Sequence, residues 1–354
     1  MMPHVRLAVD VFLDRYMTAD FVYFDDLQQL SVSIRKSAAQ ILGSNESDIA
    51  MFPNSASAFS AIMMGYPFKK GDQVILVDGD FPSVTLPFSS LRKDLGVDIV
   101  VLEQRAFYQD PIGVLAAAMT DRTRCFVSSF VGYMSGVSIP LETISVLCKG
   151  RGVHFFVDAT QGAGVLPIEV AQWGLDAVIV SPYKWLQAPI GVAIGAISAE
   201  LRAILAPISA GWLSTEAPKQ MITMDAPFSR TASSFEPGGR AILSMVGLEA
   251  SLRYFLETGL ESIRETTYNL RRLLQDAFKE RGFELYCDPL ETERSGIISI
   301  KVTPDLDGLF EALLAKGYRT TLRLGVLRFS VYYMHTETDV MQLISEIDGF
   351  LSSK

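Results

Sequence analysis

Cysteine, histidine and clustered positive charge are scarce in this chain, and each shortage closes off a class of function. Cys125, Cys148 and Cys287 are the only cysteines in 354 residues, and no two stand in a CxxC spacing. His4, His154 and His335 are equally dispersed, so no metal site is legible. The formal charge is −9 and no Lys/Arg cluster offsets it, which argues against a nucleic-acid partner. A long uninterrupted hydrophobic run is also missing. Residues 173–213 are rich in apolar side chains, but Asp176, Lys184, Glu200, Arg202 and several prolines break the stretch. It reads as core, and no membrane span is expected. The first residues lack the basic-then-apolar layout of a signal peptide. Three scattered cysteines suit a reducing compartment, so a cytoplasmic location is expected. The sequence has no internal repeat and no low-complexity segment.

What is present is enough apolar material for a sizeable core, at 49% hydrophobic residues. From about Ser44 to Ile197, short β-rich runs alternate with helical patterns. The runs include Gln73–Val77, Asp98–Leu102, Arg124–Phe130, Val153–Val157, Ala177–Val180 and Val192–Ile197. Such alternation predicts an α/β fold with a mostly parallel sheet between layers of helices. After Ala241 the pattern changes to two long helices, Ile242–Glu257 and Leu260–Arg281, followed by shorter strands and helices. The expected organisation is a large α/β domain over 18–240. A smaller α+β domain is expected from 241–354 together with a helix in 1–17.

Two charged residues stand at the ends of apolar runs. Val153-His154-Phe155-Phe156-Val157 ends in Asp158-Ala159-Thr160-Gln161, and Ala177-Val178-Ile179-Val180 leads into Ser181-Pro182-Tyr183-Lys184-Trp185. A Lys and an Asp at the ends of neighbouring buried strands meet the needs of pyridoxal 5'-phosphate. The Lys can form a Schiff base with its aldehyde, and the Asp can keep the pyridine nitrogen protonated. Further upstream, Asn54-Ser55-Ala56-Ser57 follows the strand-like Ile49–Phe52 and opens a helical stretch. A helix start offers unpaired N–H groups and a favourable dipole to a phosphate. A rival dinucleotide-binding reading of Gly162-Ala163-Gly164 fails, because Pro167 stands where the third glycine belongs.

The block from Val157-Asp158-Ala159-Thr160-Gln161-Gly162-Ala163-Gly164 through Lys184-Trp185-Leu186 to Pro189-Ile190-Gly191-Val192 resembles the class V aminotransferase family of fold-type I pyridoxal-phosphate enzymes. That family includes cysteine desulfurases, kynureninases, C–S lyases and isopenicillin N epimerases. The resemblance runs from about Met17 to the C-terminus. It implies a seven-stranded-type, mostly parallel sheet in the large domain and a homodimer with its active site at the subunit interface. It also implies a free amino acid as substrate. Lys184 and Asp158 become the catalytic pair. Ser55, Ala56 and Ser57 become the phosphate cradle, with Ser181 and Tyr183 as further phosphate ligands. Phe81, in Phe81-Pro82-Ser83, matches the kynureninase residue that stacks on the ring. Gln161 matches the residue that reaches the ring oxygen in desulfurases. Arg328, in Leu327-Arg328-Phe329-Ser330, matches the arginine that takes the substrate's α-carboxylate, and Arg323 is the alternative. Gly211-Trp212 echoes kynureninase, which makes Trp212 a substrate-binding candidate.

Some positions depart from the family pattern. Residues 318–328 form a short segment without the nucleophilic Cys of desulfurases. Glu236-Pro237-Gly238-Gly239 matches a loop that usually ends in Gly-Thr at the partner's phosphate, and Gly239 removes that hydroxyl. The family's opening turn, with Asn and small residues, has no match near Met1. The expectation is a side-chain lyase, cleaving a C–S bond or a kynureninase-like C–C bond. An aminotransferase or an epimerase is the alternative, and a non-catalytic scaffold a remote one.

Overall fold

A computed structural model describes residues 2–21, 23–221, 224–287 and 295–353. They form two compact units, Met1–Phe130 with Pro140–Thr258, and Val131–Ile139 with Gly259–Lys354.

The larger unit is built on a seven-stranded sheet in the order β1-β7-β6-β5-β4-β2-β3. Its strands are β1 (Ile49–Phe52), β2 (Gln73–Val77), β3 (Asp98–Leu102), β4 (Thr123–Ser129), β5 (His154–Asp158), β6 (Ala177–Val180) and β7 (Ala193–Ile197). β3, β2, β4, β5 and β6 run parallel, whereas β7 runs against both β6 and β1. β1, β2, β6 and β7 are buried along their whole length. That is why they read as continuous apolar runs: a parallel sheet covered on both faces has no solvent side for polar residues. Gly195 on β7 reflects the same crowding, since a Cβ there would lie 2.8 Å from the Phe52 ring.

The chain places β3 on one side of β2 and then crosses to lay β4 on the other side. The order of winding therefore reverses between β2 and β4. In open α/β sheets, the crevice outside the carboxyl ends of the strands at such a point is where ligands bind. The turns after β2, β4, β5 and β6 all leave from that edge. β1 runs in the same direction as β6, so helix α3 described below also begins there.

Three further helices frame this unit: α1 (Pro3–Met17), α2 (Tyr23–Leu42) and α4 (Pro82–Leu95). α3 (Ser55–Gly65) follows β1 directly. α2 is absent from the expected elements, although Leu27, Ser31, Ile34, Ala38 and Ile41 bury one helical stripe. The boundary between units falls after Thr258, later than the expected break near residue 240. α1 also belongs to the larger unit and not to the smaller one. Packing is the reason. α1 lies on the helix Ile242–Thr258, with the His4 ring stacked on Tyr254 at 4.2 Å and Val5 fully buried.

The smaller unit holds a three-stranded antiparallel sheet, β8 (Ile297–Lys301), β10 (Val326–Ser330) and β9 (Thr321–Arg323), in that order. One face packs Ile298, Ile300, Leu327 and Phe329 against Leu270, Leu274 and Phe278 of the helix Leu260–Glu280. β9 escaped the sequence reading because its turn is unusual. Leu324 and Gly325 both take positive φ, 48° and 74°, as a two-residue hairpin loop of the I′ kind requires. Asn-Gly announces such a turn, and Leu-Gly does not.

Candidate active site

Asp158 ends β5 and pairs in register with Ile179 on β6. It is 5% exposed. Its Oδ1 accepts the Thr160 N–H at 2.8 Å, and the Thr160 hydroxyl accepts the Ser181 N–H at 2.9 Å. Thr160 thus ties the end of β5 to the start of the lysine turn. Gly162 is needed just beyond, because a Cβ there would stand 2.3 Å from the Phe130 ring. Lys184 lies on the turn that leaves β6, where its N–H reaches the Ser181 carbonyl at 3.3 Å. Its Nζ sits over the Tyr183 ring, 5.1 Å from the centroid. Trp185 is buried, and its indole Nε1–H donates to Gln161 Oε1 at 2.7 Å. The structure therefore brings Asp158, Gln161, Ser181, Tyr183 and Lys184 together as one group.

Burial pushes the Asp158 carboxyl up from its ordinary value, and the hydrogen bonds from Thr160 partly oppose that. Among the described residues no Lys, Arg or His forms an ion pair with it. A second buried acid lies at the same edge. Asp80 follows β2, is 8% exposed, and accepts the Ser129 N–H at 3.0 Å. Ser129 is the register partner of Asp158. Burial, with the Asp158 charge adding to it, raises the Asp80 carboxyl to about 7. Phe81 comes next. It is the residue before α4, with Pro82 in the first helical position, and the residue is 39% exposed.

At the start of α3, Asn54 Oδ1 accepts both the N–H of Ser57 at 2.9 Å and its hydroxyl at 3.1 Å. The N–H groups of Ser55 and Ala56 are the first-turn donors that this cap leaves. Gly239 has φ +48° and is exposed on a loop held from one side by Glu236. The Glu236 carboxylate is buried among Arg35, Arg240 and the N–H of Met51 on β1. Trp212 packs beneath this loop, where a Cβ on Gly238 would lie 2.8 Å from its Nε1, and its ring is 5.9 Å from that of Phe24. No hydrogen bond among the described residues joins Trp212 or Gly239 to the Asp158–Lys184 group.

In the smaller unit, Arg328 on β10 pairs with Thr321, and Arg323 pairs with Val326, so both arginines share one sheet face. Arg328 is half-buried. One terminal nitrogen donates to the Tyr133 carbonyl at 2.8 Å and the other to the Thr321 hydroxyl at 3.2 Å, and its buried Nε has no hydrogen-bond partner. Burial and the neighbouring Arg323 charge lower its pKa from the ordinary value. The Arg323 guanidinium lies 6.0 Å from the centroid of the Tyr133 ring. Neither arginine has a carboxylate within 4.0 Å among the described residues. The described residues also contain no group of three or more His, Cys, Asp or Glu able to hold a metal. None of their helices is long and apolar enough to cross a membrane.

Residues 23–343 match the family model for aminotransferase class-V. The chain is 24% identical over 338 residues to isopenicillin N epimerase of Streptomyces clavuligerus, covering 89% of this chain and 83% of that protein. It is 27% identical over 283 residues to kynureninase of Bacillus mycoides strain KBAB4, covering 75% and 65%. Among solved structures, the cystine C–S lyase C-DES in complex with its product cysteine persulfide superposes with a TM-score of 0.90 at 18% identity, over 98% of this chain and 94% of that one. A second structure of C-DES, with glycine linked to its pyridoxal-phosphate cofactor, gives a TM-score of 0.88 at 19% identity over 98% and 92%. The chain has a fold-type I architecture, with a large mainly parallel sheet and a smaller unit carrying its own sheet. The chain belongs to the aminotransferase class-V family. It is an enzyme of that pyridoxal-phosphate-dependent family.

Three residues with a place in this arrangement carry no assignment from sequence alone: Thr160, Trp185 and Asp80. Thr160 and Trp185 stand inside the matching block. Their partners, Ser181 and Gln161, are far enough away in sequence that only the fold pairs them. Asp80 precedes the Phe81-Pro82 helix start and looks like an ordinary loop acid until its burial is known.

Proposed function

We propose that the chain is a pyridoxal-phosphate-dependent lyase acting on the side chain of a free amino acid, at a C–S bond or a kynureninase-like C–C bond. The observation that carries the cofactor part is Asp158. It is a buried carboxylate with no ion-pair partner among the described residues, on the strand beside the one that leads to Lys184. An ionised group in such a place calls for a cation.

The residues present fit the cofactor. Asp158 suits a protonated ring nitrogen, Lys184 an aldehyde, and the N–H groups of Ser55 and Ala56 a phosphate at the first turn of α3. Ser181 and Tyr183 stand by as further phosphate ligands, and Ser57 joins them only by releasing Asn54; Phe81 is the ring's stacking partner, and Gln161 a donor to its oxygen. Gly239 can offer a partner subunit's phosphate only backbone groups. When bound, the cofactor supplies an electron-withdrawing ring that accepts the pair left at the substrate's Cα.

The rest is the work of this chain. Lys184 anchors the cofactor through Nζ, yields to the substrate amine, and then takes the α-proton on that same nitrogen. Asp158 holds the ring-nitrogen proton as an ionic partner. Arg328 receives the α-carboxylate with the donors that Tyr133 and Thr321 leave over, its buried Nε included. Arg323 is the alternative for that role, and Trp212 lines the substrate's path. The preference for a lyase rests on Phe81 and Tyr183, which are of the kynureninase kind. The working form is a cytoplasmic homodimer. Support for the homodimer comes from Leu7 and Val11, neighbours one turn apart on α1 that are 63% and 51% exposed.

The test is a panel of amino acids offered to the cofactor-loaded protein, with side-chain product, 2-oxo acid and loss of optical activity all read. Release of a β-substituent supports the lyase. Amino transfer to a 2-oxo acid, or racemisation with the side chain intact, replaces it with the aminotransferase or the epimerase.

A further inference from the structure

The indole N–H of Trp185 is a donor and has no acceptor counterpart. The Gln161 atom that meets it at 2.7 Å must therefore be the carbonyl oxygen. That settles the amide's orientation, which for a glutamine is otherwise interchangeable. It also leaves the Gln161 NH₂, with two donors, for whatever lies on its other side. Gln161 belongs to the turn after Asp158, closed by the Gly162 N–H to the Ala159 carbonyl at 2.9 Å, so its backbone is fixed. Trp185 is 7% exposed and directly follows Lys184, so its ring is fixed as well.

We propose that Trp185 is a positioning residue: it holds the Gln161 amide in the one orientation that presents a hydrogen-bond donor to the cofactor's ring oxygen. The proposal rests on the reading that Gln161 faces that oxygen. A donor there stabilises negative charge on the oxygen. The oxygen is then a weaker acceptor for the N–H on the adjacent nitrogen that joins the cofactor to Lys184 and stabilises that charged form less, so this nitrogen gives up its proton at lower pH. Without Trp185 the amide is free to turn its own carbonyl toward the ring, and the donor is lost for part of the time. The other titratable groups around this edge are Asp158 at the end of β5, Asp78 and Asp80 after β2 and Tyr183 beside Lys184, and all four stay unchanged in the variants below.

The experiment is a spectrophotometric pH titration of the visible cofactor band in the loaded protein, without substrate. Gln161→Ala should raise the midpoint by about one pH unit, the worth of one hydrogen bond. Trp185→Phe should raise it in the same direction by a smaller amount, and the double variant should match Gln161→Ala alone. Gln161→Glu, with Trp185 intact, takes the indole N–H on one oxygen and turns an acceptor toward the ring, so it should raise the midpoint beyond Gln161→Ala. This last variant keeps the test open if Trp185→Phe fails to fold. A shift with Gln161→Ala but none with Trp185→Phe overturns the positioning role while leaving Gln161 in place. Additive shifts in the double variant overturn it too, because Trp185 would then act independently. No shift with either glutamine variant overturns both the proposal and the reading of Gln161 beneath it.

Discussion

Replacing Asp158 by Asn should separate function from stability, because the two respond in opposite directions. The carboxylate is 5% exposed and receives one backbone hydrogen bond, from Thr160 at 2.8 Å. Asn keeps an acceptor for that N–H and fills the same space. In the cofactor-free protein its burial is less costly, since the desolvation that raises the Asp158 carboxyl penalises only a charge. Stability from a raised carboxyl is present below its unfolded pKa and is lost as pH rises through the folded one. Above that range Asp158 is a net cost, and Asn removes it. Thermal unfolding of the cofactor-free variant near pH 8 should therefore come at or above the parent's temperature. Turnover should fall by about 10²–10⁴, the worth of one key electrostatic group at a reacting centre, because Asn has no charge to hold the ring-nitrogen proton. Steady-state kinetics at saturating cofactor, paired with calorimetry, read both effects. Turnover near the parent's would show that another residue faces the ring nitrogen. Loss of stability in step with turnover would make Asp158 a structural residue.

Other consequences follow from groups nearby and elsewhere. With its carboxyl raised to about 7, Asp80 should make the cofactor-free protein lose stability as pH rises from about 4 to about 7, by up to about 4 kcal/mol, and urea unfolding of Asp80→Asn should show a flatter pH dependence. Arg328→Ala should weaken amino-acid binding by about 2–4 kcal/mol in spectral titrations while leaving the cofactor band intact, and Arg328→Lys should rescue little because a point charge lacks the planar fork. If Arg323→Ala blocks binding and Arg328→Ala does not, the two roles are exchanged. Glu236→Gln should cost about 3–5 kcal/mol in urea unfolding, since it leaves the Arg35 and Arg240 guanidiniums without the buried carboxylate they share.

The parallel sheet was legible because burial on both faces turns its inner strands into apolar runs with turn residues between them, and β2 and β6 fall where those runs do; the edge strand β3 is partly exposed and was legible from its Ile99-Val100-Val101-Leu102 run alone. The strand ends proposed to hold the cofactor were legible for the same reason: a charge that closes such a run stands out, as Asp158 does. What stayed hidden depends on the fold. The boundary near residue 240 followed a change of pattern, whereas the division after Thr258 follows the docking of α1 on the helix Ile242–Thr258. β9 is three residues long and its Leu324-Gly325 turn gives no hairpin signal. Ser57 read as a phosphate ligand from its place at a helix start, yet both its N–H and its hydroxyl turn back to Asn54. Trp185 read only as a neighbour of Lys184, and its partner Gln161 becomes visible once β5 and β6 lie side by side.

Lys184 is the residue proposed to carry the cofactor, and covalent trapping tests this directly. Protein loaded with pyridoxal phosphate should be reduced with borohydride, digested and mapped by mass spectrometry. A single adduct should appear on the peptide that contains Lys184 and none in Lys184→Ala, which should bind the cofactor only non-covalently. An adduct on Lys149 or Lys219, or no retained cofactor at all, would contradict that role.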